Sequence, residues 1–207
     1  MKEYHLQSPI SPKDISALRI GDIVYVSGKA FTCRSKLQRA VFDEGLPLPE
    51  ELKVHEILIH VGPIVLKRDG GYQLVSFMPT SSIRFEKWGA QTIKDWGLKV
   101  IVGKTTMGDE TARAMQELGC VHLSPRSVSP NLWVKSIQIE NVFLHDEMGS
   151  IEAPWQLSLH ELGPFVVDID THGGRLFEDL NKAVNERLSD AYKDLDIPTD
   201  FRYTKLY

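Results

Sequence analysis

Short apolar runs alternate with amphipathic stretches along most of the chain, and this pattern predicts its elements. Ser11-Pro12-Lys13-Asp14 opens a short helix that ends before Gly21. Ile23-Val24-Tyr25-Val26 reads as a strand, broken by Ser27-Gly28-Lys29. A helical pattern follows over roughly Ser35 to Phe42, with Leu37, Ala40 and Val41 on one face. Ile57 to Val61 is a continuous apolar run of the buried-strand kind, stopped by Gly62-Pro63. Arg68-Asp69-Gly70-Gly71 has hairpin chemistry and returns a strand from Tyr72 to Phe77. A helix to Trp96 closes at Gly97, a strand covers Leu98 to Val102, a helix from about Glu110 closes at Gly119, and Cys120 to Leu123 is a short strand.

Ser124 to Pro130 is irregular. Val134 to Phe143 predicts a half-buried strand, and Glu152–Leu157 and Pro164–Ile169 two more. Arg175 to about Tyr192 is amphipathic, with Leu176, Leu180, Ala183, Val184 and Leu188 on one face. The segment 194–207 is a polar tail. Helices and strands alternate in the middle and strand-rich segments flank them. The expected fold class is therefore α/β, one domain over 1–207 with a mixed sheet and flanking helices.

A length of 207 residues is enough for a sizeable core without staples. A net charge of -4 argues against a nucleic-acid binder. No apolar run approaches the roughly 20 residues of a membrane span, and the first residues carry no apolar signal region. Cys33 and Cys120 stand far apart, which fits a reducing, cytoplasmic location and is too few thiolates for an iron–sulfur cluster.

Three breaks share one grammar: a strand end, small or hydroxyl residues, and a basic residue nearby. They are Ser27 to Arg34, Met78 to Arg84 and Gly103 to Met107. Ligands of α/β sheets gather at the carboxyl ends of strands, so convergence of these loops would set Arg34, Arg84 and Lys104 around one small anion. Two arginines and a lysine suit a dicarboxylate. Thr80 and Ser81 could hydrogen-bond it or carry a proton, although a serine acts as a base only with help from a neighbouring base or field. The blander alternative for Met78–Arg84 is a helix cap, with Ser81 or Ser82 accepting from first-turn amides. Gly103-Lys104-Thr105-Thr106 ends like a P-loop, but Leu98 occupies the position of that motif's first glycine. The histidines show no metal-binding spacing, and none is expected to ligate a metal. His60 reads as a satisfied strand-end histidine, Cys33 as a packing residue, and Asp168 and Asp170 as a strand edge entering a turn.

At these loops the sequence resembles the β-type subunit, or C-terminal domain, of class I iron–sulfur fumarases and L-tartrate dehydratases. The resemblance is carried by Gly21–Gly28, Phe31-Thr32-Cys33-Arg34, His60-Val61-Gly62-Pro63, Pro79-Thr80-Ser81-Ser82-Ile83-Arg84, Gly103-Lys104 and Glu152-Ala153-Pro154-Trp155. It implies a swivelling β/β/α domain and reversible hydration of an unsaturated diacid, fumarate to malate first, with L-tartrate or a related hydroxy-diacid as alternative. It further implies a [4Fe-4S] cluster carried by an α-type partner subunit, none on this chain, and a homodimer or α2β2 assembly. By position, Arg34, Arg84 and Lys104 would hold substrate carboxylates, Thr80 would hydrogen-bond substrate, and Ser81 would be the candidate base.

The chain departs from that pattern in three places. Ser35-Lys36-Leu37-Gln38 replaces Asp-Ala-Ala-His, Thr105-Thr106 replaces Gly-Gly, and Ser127–Asn131 replaces a glycine-rich loop. These departures motivate a second reading, a carboxylate-binding or scaffolding paralogue without chemistry.

Overall fold

The computed structural model describes residues 1–126, 129–198, 200–202 and 204. Ser127 and Val128 of the Ser127–Asn131 loop, and parts of the 194–207 tail, lie outside the described residues. The elements are β1 (Glu3–Gln7), α1 (Pro12–Ala17), β2 (Ile23–Cys33), α2 (Ser35–Phe42), β3 (Ile57–His60), β4 (Ile64–Arg68), β5 (Gly71–Ser76), α3 (Glu86–Trp96), β6 (Val100–Val102), α4 (Asp109–Leu118), β7 (Val121–Pro125), β8 (Ile137–Val142), α5 (His145–Met148), β9 (Trp155–Ile169), α6 (Leu176–Glu186) and α7 (Leu188–Asp194). A 3-10 turn, Ser82–Phe85, precedes α3.

The main sheet is mixed. β1, β2, β3, β6 and β7 run parallel in that order, β9 returns antiparallel to β7, and β8 pairs antiparallel with β9. β9 also pairs with β2, so β2, β3, β6, β7 and β9 close into a barrel-like ring. Alternation along the parallel strands divides the core. Ile57, Ile59, Val100, Val102, Val121 and Leu123 point to one cluster, with Val24, Leu157 and Phe165. Leu58 and Ile101 point to the other, under Leu37 of α2, Ile93 and Trp96 of α3, and Met115 of α4.

Two predicted breaks are not breaks. β2 passes through Ser27-Gly28-Lys29 as one strand with register shifts against β9. Gly28 sits at φ +107, a value that favours glycine, so the strand bends there and continues. Its first half then pairs with β1 and its end with β3. The two strands expected at Glu152–Leu157 and Pro164–Ile169 are likewise the single β9. β1 had no sequence signal, because only Leu6 of its residues is buried. The helix expected over Arg175–Tyr192 divides at Arg187 into α6 and α7, and neither buries a residue.

Candidate functional site

All four parallel strands of the ring end on one rim. Arg34 follows β2, Val61-Gly62-Pro63 follows β3, Gly103-Lys104 follows β6 and Arg126 follows β7. The Thr80–Ser82 segment is delivered there by the β4–β5 hairpin, which forms its own small sheet. The segment is wedged between the ends of β3 and β6. The Thr80 N–H donates to the His60 carbonyl at 2.7 Å, the Lys104 N–H to the Thr80 carbonyl at 2.9 Å, and the Ser82 N–H to the Lys104 carbonyl at 2.8 Å. Ser81 thus pairs with Lys104 as a one-residue parallel bridge. A short strap extends the sheet and carries the hydroxyls.

Arg34 joins from the neighbouring strand. Its guanidinium forms an ion pair with Glu152, Nε to Oε1 2.9 Å, while Glu152 Oε2 accepts from the Lys36 N–H at 2.9 Å. Glu152 is placed by Trp155, whose N–H donates to Thr32 Oγ1 on β2 at 2.9 Å and whose ring N–H donates to the Ser150 carbonyl at 2.8 Å. Gly62 allows the close approach this needs. A Cβ there would stand 2.5 Å from Ile151 Cγ2 and 3.1 Å from Arg34 Nη1.

The structure therefore brings Arg34, Thr80, Ser81 and Lys104 to one rim. Arg84 stands two residues past the strap, exposed on the 3-10 turn. Among the described residues, the side chains of Thr80, Ser81, Arg84 and Lys104 have no hydrogen-bond or ion-pair partner, whereas Arg34 is half-committed to Glu152. The cap reading does not survive: Ser81 occupies the N-cap position of the 3-10 turn but makes no side-chain cap bond, and the Ser82 hydroxyl is engaged elsewhere.

The loop after β6 is held by a group that the sequence did not point to. Glu86, at the start of α3, accepts from the Gly108 N–H at 2.6 Å, the Thr111 N–H at 3.2 Å and the Thr111 hydroxyl at 2.7 Å. This carboxylate takes two amides and a hydroxyl at the N-terminus of α4 and sets a negative charge there, which disfavours a phosphate at the P-loop-like ending. Thr105 lies in the left-handed region at φ 63, where glycine is favoured, and its hydroxyl donates to the Lys104 carbonyl at 2.5 Å.

Beneath the strap lies a chain of buried polar side chains. Ser82 Oγ is 2.9 Å from His60 Nδ1 and 2.9 Å from His122 Nε2, and His122 Nδ1 is 3.0 Å from Asp168 Oδ2. Burial, with His122 nearby, pushes the His60 imidazole down to about 3, so it is neutral. His60 and His122 each sit in a strand of apolar neighbours, and no local pattern joined them to Ser82 or Asp168. The two cysteines are both buried, and burial pushes the Cys120 thiol up to about 12 and the Cys33 thiol well above its ordinary value. Neither is a thiolate poised for cluster ligation or attack. Among the described residues no cluster of His, Cys, Asp and Glu could hold a metal, and no helix is long and apolar enough to cross a membrane.

A barrel-like α/β sheet whose parallel strands end together at unpaired cations and hydroxyls defines a class: an α/β domain with a cationic, hydroxyl-bearing strand rim. The model of the fumarase C-terminus family matches residues 1–180, and the chain belongs to that family. It is 33% identical to the L(+)-tartrate dehydratase subunit beta of Escherichia coli (strain K12) over 183 residues, 88% of this chain and 90% of that one. A provisionally named L(+)-tartrate dehydratase subunit beta of Methanocaldococcus jannaschii is 33% identical over 185 residues, 87% of this chain and 94% of the relative. A provisionally named class I fumarate hydratase of Geobacillus stearothermophilus is also 33% identical, over 89% of this chain but only 35% of that longer protein.

Proposed function

We propose that this chain is the β-type subunit of a hydro-lyase that adds water to, or removes it from, a hydroxy-dicarboxylate. Fumarate and malate are the first pair. L-tartrate is the second reading, favoured because the relatives matched over nearly their whole length carry that name. The observation that carries the proposal is the rim itself: Lys104 is an unpaired cation, Thr80 and Ser81 are unpaired hydroxyls on a strap fixed by three backbone hydrogen bonds, and a second unpaired cation, Arg84, follows two residues past the strap. A cation left without a partner beside free hydroxyls is suited to a small polyanion.

In this reading Arg34, Arg84 and Lys104 hold the two carboxylates. Arg34 presents the guanidinium face that Glu152 does not occupy. Thr80 donates to a substrate oxygen, and Ser81 takes or returns the proton at carbon. The Lys104 ammonium would supply the field that makes a serine alkoxide less costly. The chain's own buried thiols do not fit an iron–sulfur cluster. The cluster of this enzyme type is therefore assigned to an α-type partner in the cytoplasm, over which this domain would swivel, in a homodimer or α2β2 assembly. One domain over 1–207, with a polar tail from 194, belongs to the same proposal.

The test is to co-purify the chain anaerobically with an α-type subunit and assay fumarate, malate and L-tartrate. The complex turns over one of them and the isolated chain is nearly inactive. Ser81→Ala lowers kcat by about a hundredfold or more, the usual range for a general base, while substrate binding survives. A cluster-loaded complex that hydrates no unsaturated diacid sinks the enzyme reading and leaves the carboxylate-binding paralogue.

A further inference from the structure

Ser82, His122 and Asp168 have the spacing of a nucleophile, a base and an orienting carboxylate. They are no hydrolytic site: Ser82, His122 and Asp168 are each 0% exposed, so no acyl substrate reaches the hydroxyl. The arrangement follows from the sheet. Leu58 of β3, Ile101 of β6 and His122 of β7 are neighbours in register, so His60 and Gly103 lie one step nearer the rim on the same face. β6 offers no side chain at Gly103, and the Ser82 hydroxyl occupies that space. A Cβ on Gly103 would stand 1.8 Å from Ser82 Oγ. The strands on either side, β3 and β7, supply the two histidines. Asp168 comes from β9 where its register with β7 is shifted.

Ser82 has one proton to give. It donates to one imidazole and accepts from the other, so the two tautomers are coupled. Asp168 decides between the arrangements. Its carboxylate accepts from His122 Nδ1–H, and when that ring carries this one proton its Nε2 is an acceptor. Ser82 must then donate to His122 and accept from His60 Nδ1–H. His60 Nε2 is left bare, buried against the Phe85 ring at a centroid distance of 4.3 Å. Two members of this chain anchor the strap: the His60 carbonyl accepts from the Thr80 N–H, and the Ser82 N–H donates to the Lys104 carbonyl.

We propose that His60, Ser82, His122 and Asp168 are positioning residues, one proton-ordered chain that locks the Thr80–Ser82 strap over Gly103 and so fixes Ser81 and Lys104 in place. That these two residues face a diacid rests on the proposed function; the ordered chain and the locked strap do not. The folded isolated chain tests it without substrate. Ring ¹⁵N shifts at pH 7.5 are expected to show both His60 and His122 as neutral Nδ1–H tautomers. Ser82→Ala is expected to speed hydrogen exchange of the Thr80, Ser82 and Lys104 amides by at least about tenfold, the equivalent of one lost buried hydrogen bond, while Val100–Val102 stay protected. Asp168→Ala is expected to do the same and to release the His122 tautomer. An Nε2–H tautomer or an imidazolium at either histidine, or unchanged exchange of the three amides in Ser82→Ala, overturns the proposal. In the assembled enzyme Ser82→Ala lowers kcat; if the wild-type complex converts no diacid, the functional reading falls while the exchange and tautomer results still decide the chain.

Discussion

At the scale of single residues, the buried His60 makes stability depend on pH. Its imidazole titrates near 3 in the fold and near 6.5 when unfolded. Between those values the unfolded chain binds the extra proton, so the stability is fully present above about 6.5 and is lost as pH falls. By pH 4 the loss from this group alone is on the order of 3 kcal/mol. Urea midpoints at pH 7, 5 and 4 measure it, and His60→Asn should flatten the acid limb. Thr105 works in the opposite sense. A β-branched residue at φ 63 is strained, typically by about 1–3 kcal/mol, and glycine would relieve that strain while adding some unfolded-state freedom. Thr105→Gly is expected to raise stability by about 1 kcal/mol, or Tm by about 2–4 °C. A lower Tm would show that its hydroxyl bond to Lys104 outweighs the strain. Neither effect was legible in sequence: His60 looked like any strand-end histidine, and the strain at Thr105 depends on a backbone angle.

At the scale of elements, the site is held by bonds between helices and loops that are distant in the chain. Glu86 is the clearest case, one carboxylate at the head of α3 receiving three donors from the head of α4. Glu86→Ala is expected to cost about 2–3 kcal/mol, since it orphans helix donors that had a charged acceptor. Because the loop carrying Lys104 lies between these helices, KM for a diacid should rise as well. A melting curve and a KM measurement check the two parts, and an unchanged KM would mean that the loop is held without Glu86. Hydrophobic periodicity located α2, α3 and α4 well, because each turns a regular apolar face to the sheet. It divided β2 and β9 wrongly. Ser27-Gly28-Lys29 and Leu162-Gly163-Pro164 have turn chemistry, and only pairing with two neighbours at once keeps such a bent strand continuous.

At the scale of the whole molecule, the rim is flanked by uncovered apolar surface. Ile64 and Leu66 on the outer face of the β4–β5 hairpin are 49% and 46% exposed, and Ile83 and Ile151 beside the rim are each 46% exposed. Such a set next to unpaired cations suits a partner that covers both. Ile64→Asp with Leu66→Asp is expected to weaken assembly with the α-type subunit by about tenfold or more, leaving Tm of the isolated chain nearly unchanged because the outer face contributes little to the core. Titration calorimetry or analytical ultracentrifugation reads the result. Wild-type affinity in the double variant would move the interface elsewhere, for instance to the exposed stripe of Leu180, Val184 and Leu188 on α6 and α7.

The sequence by itself determined the α/β class, the three helices that cover the sheet, and the identity of the rim residues. These rest on local causes: a period of 3.6 or 2, glycines that end helices, and side-chain chemistry that a residue carries wherever it sits. Only the tertiary structure decided the rest. It closed the sheet by pairing β9 with β2, set the strap between β3 and β6, gave Arg34 to Glu152, and gathered His60, Ser82, His122 and Asp168 around the space left by Gly103. Each of those depends on contacts between residues tens of positions apart, whose energies no local pattern encodes.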